Sequence, residues 1–217
     1  MPGKQQVRNR QTTRERIDAV ARDLYVRRGF NGFSFGDIAA VVGITRANIH
    51  HHYGNKLALM EELVSEFIID AEERIESHWM EGDVQFGARI RRQVADLRAF
   101  YTRYNPNPGD RNVWSPLSRL RLDLPILGEL AILALERSDR AYDKALTMAL
   151  NRAIAAGELD QATPVSEVAR ILRFAVLCCP PMTQDSGSFD EVTRVFDSLE
   201  QTILAAWGKR RAGLLPR

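Results

Sequence analysis

The stretch Ser34-Phe35-Gly36-Asp37-Ile38-Ala39-Ala40-Val41-Val42-Gly43-Ile44-Thr45-Arg46-Ala47-Asn48-Ile49-His50-His51-His52-Tyr53 decides how this chain folds. Ser34, with Asp37 three positions on, reads as a helix cap, and Phe35, Ile38, Ala39 and Val42 then share one helical face. Gly43 suits the left-handed position that ends such a helix. Ile44 precedes a second cap, Thr45, and is spaced to staple onto Ile49, so a second short helix starts with a defined roll. Two short helices joined by a tight turn make a helix-turn-helix.

The roll decides which side chains face outward. Ile49 and Tyr53 lie four apart and must turn inward, which at about 100° per residue presents Ala47 and His51 outward with Asn48 and His50 on their flanks. From Ile38 through Met60 there is no Asp or Glu, whereas Arg46, Lys56 and the run His50-His51-His52 all lie in that window. A surface that lies against phosphates would be built this way. Read alone, the window also fits the solvated helix of an ordinary bundle, because such helix pairs are common packing units.

Outward from this stretch, the charge is uneven. Residues 1–57 hold ten Lys and Arg against four Asp and Glu, a net +6, and the other 160 residues carry a net −4. A basic N-terminal module on a mildly acidic body points to a polyanion partner for the first and another task for the second. The expected division is 1–57 for a basic arm and helix-turn-helix domain, and 58–217 for a helical body. With 45% hydrophobic residues among 217, the chain can bury a full core. The start is polar and basic, unlike a signal peptide, and no apolar run reaches the roughly 18 residues of a membrane span, so a cytoplasmic protein with no membrane partner is expected. The two cysteines, Cys178 and Cys179, are adjacent, which gives neither a disulfide framework nor a metal-ligand spacing.

Residues 1–11 read as a basic arm. Thr12 with Glu15 can form a capping box for a helix carrying Ile17, Val20, Ala21, Leu24 and Tyr25 to Gly29. After Tyr53, Asn55 caps a long helix through Leu59, Met60, Leu63, Val64, Phe67, Ile68, Ala71 and Ile75 to about Met80. The next, from about Val84 to Tyr104, has the stripe Phe86, Ile90, Val94, Leu97 and Tyr101. A short helix bearing Trp114, Leu117 and Leu120 follows, then a longer one from Pro125 to Gly157 whose apolar positions include Leu133. Thr163-Pro164 opens a helix that Pro180-Pro181 should end, and Ser188 with Glu191 should box the last helix, whose stripe runs from Val192 through Trp207. The pattern predicts nine helices, no strand and an all-α protein.

The residues from 16 to 67 resemble the tetracycline-repressor (TetR) family of bacterial transcription regulators. The matching set is the first helical stripe through Gly29-Phe30, then Ser34, Asp37-Ile38-Ala39, Gly43-Ile44-Thr45, Ile49, His52-Tyr53, Asn55-Lys56 and Leu59. This sequence departs from the family's pattern at His50 and His51, where aromatics are usual, and at Leu57, where an acid is usual. The resemblance implies a three-helix DNA-binding domain joined to a larger helical bundle for ligand binding and dimerisation. It implies phosphate contacts from Ser34, Thr45, His50, His52 and Lys56, and base-edge contacts from Arg46, Asn48 and His51, with the small Ala47 letting the helix approach. Arginine bonds bidentately to guanine and asparagine to adenine, so physical chemistry agrees for Arg46 and Asn48.

The function so implied is a ligand-responsive regulator, a repressor of a palindromic operator that works as a homodimer and is released by a small-molecule effector. Candidates for an effector pocket are Trp79, Tyr101, Trp114 and Phe174, with Arg121, Arg119 or Arg173 for an anionic group. Candidates for the dimer interface are Val168, Ile171, Phe196, Leu199 and Ile203 on the last two helices. The competing reading is an all-helical adaptor that binds protein through the same basic module. A catalytic or metal role has little to rest on: three consecutive histidines on a helix diverge by about 100° each, no nucleotide-loop or nucleophile motif stands out, and no cofactor is implied.

Overall fold

A computed structural model describes residues 12–209, and among them there are ten α-helices, a short 3-10 turn and no strand. The expected basic arm, 1–11, lies outside the described residues. The chain divides into two compact units between Leu63 and Val64, a point inside one continuous helix.

The first unit contains α1 (Thr13–Arg28), the turn Phe30–Gly32, α2 (Phe35–Val42), α3 (Arg46–Tyr53) and the start of α4 (Lys56–Trp79). Its caps follow the sequence. Thr12 and Glu15 form a capping box, as do Ser34 and Asp37, and Thr45 accepts a hydrogen bond from the Asn48 amide. Gly43 adopts φ +76°, ψ +37°, the left-handed conformation that a side chain resists, and so ends α2 sharply before α3. Ile17, Ala21, Tyr25, Phe33, Phe35, Ile38, Ile49, Tyr53, Leu59 and Met60 are buried. Two polar ties lock the packing: Tyr53 Oη donates to Asp18 Oδ1 at 2.6 Å, and Arg16 donates to the Val42 carbonyl, also at 2.6 Å.

The second unit continues α4 and adds α5 (Phe86–Tyr104), α6 (Pro116–Leu122), α7 (Leu124–Leu127), α8 (Glu129–Ala155), α9 (Val165–Ser186) and α10 (Asp190–Trp207). Helix α8 packs on α9, and α10 on α9 and α5. The end of α4 and the turn after it are gathered by a buried side chain: Arg89 donates to the Trp79, Glu81 and Gly82 carbonyls at 2.7–3.0 Å.

Six sequence expectations change here. The helix expected from Pro125 is two, because Gly128, at φ +52° and ψ −127°, breaks it and makes ten helices of nine. Helix α9 does not stop at Pro180-Pro181 but runs through them to Ser186. The helix continues past the two missing N–H donors, and the turn beyond them is anchored: Pro180 and Thr183 are buried, Trp114 Nε1 donates to Thr183 Oγ1 at 2.8 Å and Thr183 Oγ1 donates to the Pro180 carbonyl at 2.8 Å. Pro164 itself stands at the cap of α9, and Ser188 bonds the Asp190 amide instead of boxing with Glu191, which pairs with Arg194. The buried stripe of α5 passes through Gln93, whereas Val94 is half-buried. Leu133, one of the apolar positions expected on that helix, is 53% exposed on α8.

Candidate nucleic-acid interface and ligand cavity

Helix α3 presents the surface that its roll requires. Ile49 and Tyr53 are buried, and Arg46, Ala47, Asn48, His50, His51 and His52 are all exposed. The Thr45 hydroxyl oxygen accepts from the Asn48 amide at 3.3 Å, which leaves its O–H to donate outward. His50 donates Nδ1–H to the Gly54 carbonyl at 2.9 Å and meets the Phe35 ring edge-on at 4.8 Å, so its ring is fixed and Nε2 is the nitrogen left over. The rings of His51 and His52 lie 6.0 Å apart.

The structure divides the cations of this unit into committed and uncommitted. Arg14 pairs with Glu62, Arg27 with Asp23 at 2.8 Å, and Arg28 with Asp37 at 3.5 Å. Asp37 also takes both the amide and the hydroxyl of Ser34, and those bonds, ahead of Arg28, hold its carboxyl below the usual carboxylate range. Lys56 is turned inward: its ammonium donates to the Phe30 and Phe33 carbonyls and lies 4.6 and 4.2 Å from their rings. A residue expected at phosphates is therefore a bolt between α4 and the 3-10 turn. Arg46 has no partner among the described residues.

The second unit contains a cavity of about 80 Å³ lined by α4, α5, α6, α8 and α9. Phe67, Leu97, Phe100, Trp114, Tyr142 and Val176 supply its apolar wall, and Arg74, Gln93, Asp96, Ser118 and Arg121 its polar groups. Wider depressions of 410 and 560 Å³ exist on this unit, and they have more polar walls, beside charged side chains such as Arg152 and the Arg137–Glu72 pair. Of the side chains expected at a pocket, Trp114 and Arg121 reach this cavity. Trp79 is fully buried behind it, donating to Gln93 Oε1 at 3.0 Å, and Tyr101 lies against Trp114 and Phe189 with its hydroxyl on the Gly187 carbonyl. Phe174 is 53% exposed on the outer face of α9. Arg173 is taken by Asp139 at 3.2 Å and Asp143 at 2.9 Å. Gln93, Arg74 and Asp96 were missed from the sequence, although a glutamine on an apolar stripe and charges one turn from core residues were there to be read.

The expected interface residues also separate. Val168, Phe196 and Ile203 are buried within the chain, 2%, 1% and 4% exposed, because α10 turns its apolar stripe onto α5 and α9. Leu199 is half-buried, and Ile171 is 52% exposed. The outward apolar stripe is on α9, where Ile171, Phe174 and Cys178 succeed one another at helical spacing. Cys179, by contrast, is buried, and burial pushes its thiol up to about 12.

Residues 17–63 match the family model of bacterial regulatory proteins, tetR family. Among solved structures, the chain is similar to a TetR-family transcriptional regulator from Agrobacterium tumefaciens, at 27% identity and a TM-score of 0.70 over 87% of this chain and 96% of that one. It is similar to a TetR transcriptional regulator from Legionella pneumophila, at 21% identity and a TM-score of 0.72 over 90% and 99%. A third similar structure, at 22% identity and 0.68 over 91% and 98%, is a protein from Saccharomonospora viridis described as a transcriptional regulator in complex with choline. No curated protein matches the chain.

Proposed function

The helix-turn-helix unit of this chain belongs to the TetR family of bacterial regulatory proteins, and from that premise we propose that the protein is a cytoplasmic, ligand-responsive repressor, binding a palindromic operator as a homodimer and released by a small-molecule effector. The observation that carries this reading is the outward face of α3. Arg46, Ala47, Asn48 and His51 are exposed and acid-free on a helix whose roll is fixed by buried Ile49 and Tyr53. Arg46 and Asn48 reach base edges with His51 beside them, and Thr45, Ser34, His50 and His52 lie along the flanking phosphates. Lys56 acts at one remove, by holding the turn against α4.

Dimerisation follows from the apolar stripe on α9. A two-fold pairing of α9 and α10 covers Ile171 and Phe174 and sets two copies of α3 for the two half-sites of one operator. The effector occupies the cavity, and α4 carries its effect: Leu59 and Met60 belong to the core of the first unit, while Phe67, Ala71 and Arg74 line the cavity in the second. A typical coupling of about 1–3 kcal/mol lowers operator affinity roughly 5–150-fold, and operator must weaken effector binding by the same factor.

Binding to genomic DNA fragments across a salt series tests the reading. A DNA binder loses affinity steeply as salt rises, because neutralised phosphates release counterions. A flat response points instead to the protein-binding adaptor.

A further inference from the structure

The cavity in the second unit has a chemical bias set by two side chains that are not fully engaged. Gln93 is 2% exposed, and its Oε1 accepts from Trp79 Nε1 at 3.0 Å and from the Tyr142 hydroxyl at 3.5 Å. An indole N–H can only donate, so the Gln93 oxygen must face Trp79 and the amide orientation is settled. Its Nε2 then has two N–H groups that no described residue accepts, and Gln93 lines the cavity.

Arg121 enters the same cavity from α6. Its contacts are long: Nη1 to the Leu117 carbonyl at 3.5 Å, one turn back on its own helix, and Nη2 to Asp139 at 3.8 Å. Asp139 is shared, since Arg173 holds its Oδ2 at 3.2 Å and its Oδ1 faces Arg121 beyond hydrogen-bond distance. Burial lowers the Arg121 pKa from the usual arginine value, with Asp139 opposing and Arg173 adding to the shift. The lining carboxylate, Asp96, already faces Arg74 at 3.7 Å. Among the side chains that line the cavity, Arg74 and Arg121 stand against one carboxylate, Asp96, while Asp139 and Asp143 lie outside the lining around Arg173, and the unused donors stand above an aromatic floor.

We propose that this cavity binds a small organic anion, a carboxylate on a compact apolar or aromatic body, with Arg121 and Gln93 donating to its oxygens. The inference rests on the reading of the cavity as the effector site. Size sets a further limit: a water needs about 10–15 Å³ on this scale, so 80 Å³ holds roughly five to eight water-sized positions. That suits a short-chain or monocyclic acid. A quaternary ammonium is disfavoured, since Arg121 repels it and Arg74 already neutralises Asp96.

Calorimetry on the full chain with benzoate, benzyl alcohol and benzyltrimethylammonium as probes tests the proposal. Benzoate should bind roughly tenfold or more tighter than benzyl alcohol, the scale of one charge-assisted hydrogen bond, and the cation should bind least. Arg121→Gln should erase the preference for benzoate with an unchanged circular dichroism spectrum, and Arg121→Lys should restore part of it. Equal binding of benzoate and benzyl alcohol, a preference for the cation, no binding by any of the three at millimolar concentration, or full benzoate affinity in Arg121→Gln overturns the proposal. A separate arm measures affinity for DNA fragments with and without benzoate. Benzoate binding that leaves DNA affinity unchanged upholds the anion site and refutes its role as the effector site.

Discussion

Replacing Lys56 with methionine removes a cation that stands inside the first unit, keeping most of the aliphatic stem. The lost ammonium donates to the Phe30 and Phe33 carbonyls and lies within 4.6 Å of both rings. A hydrogen bond to a charged group contributes about 1.5–3 kcal/mol, and at a half-exposed site the lower end applies. Two bonds from one ammonium are not additive, so the net loss is about 2–3 kcal/mol. Native-state hydrogen exchange reads this locally: amides of α1–α3 should exchange roughly 30- to 150-fold faster, while those of α8 and α9 stay unchanged. The salt dependence of DNA binding supplies the opposing readout. A phosphate-contacting lysine contributes about 0.9 to the slope of log affinity against log salt, whereas a structural one contributes nothing. Unchanged exchange together with a slope reduced by about one would refute the internal role and return Lys56 to the phosphates.

Arg46→Ala should cost about 1–3 kcal/mol on the preferred operator and relax base preference at one position, read by affinity across single-base variants; an equal loss for every variant points to a phosphate contact. Phe174→Glu or Ile171→Glu should dissociate the dimer in sedimentation with the monomer's helicity intact, because both side chains are about half exposed. Phe196→Asp should instead unfold the second unit, since a carboxylate at a site 1% exposed has no partner. Stability should fall as pH drops below about 6.5. Burial lowers the pKa of His78, with Asp96 opposing and Arg74 and Arg92 adding to the shift, so the unfolded chain takes up the proton first and stability is lost as pH falls toward the folded pKa. His78→Leu should flatten that dependence in urea melts, and an unchanged pH profile assigns it to other groups.

The parts of this protein that were legible in the sequence are those in which neighbours along the chain decide the outcome. Ser34 caps α2 through Asp37, Thr45 caps α3 through Asn48, and Gly43 separates the two helices, each interaction reaching three or four residues at most. The outward face of α3 follows from the same local rule, since Ile49 and Tyr53 set the roll and the remaining side chains have no other direction to take. The cavity was only half legible. Trp114 and Arg121 were in view, but Gln93 was hidden by reading the α5 stripe through Val94, one residue away.

Sequence by itself therefore determined the helical class, the helix-turn-helix and the identity of its exposed side chains, because caps, periodicity and turn glycines act within one or two helical turns. Tertiary structure alone decided where long or amphipathic side chains spend their reach. Lys56 has a four-carbon stem that can extend to solvent or fold back, and the aromatic pair Phe30 and Phe33 with their carbonyls draws it inward. Phe196 and Ile203 looked available to a partner until α5 and α9 covered them, and Phe174 looked like pocket until α9 turned it outward. Pro180 and Pro181 should have ended α9, yet the buried bond from Trp114 to Thr183 lies beyond them on the same helix. For Lys56 and for Thr183 the deciding partner lies more than twenty positions away, a separation over which periodicity carries no information about which face meets which.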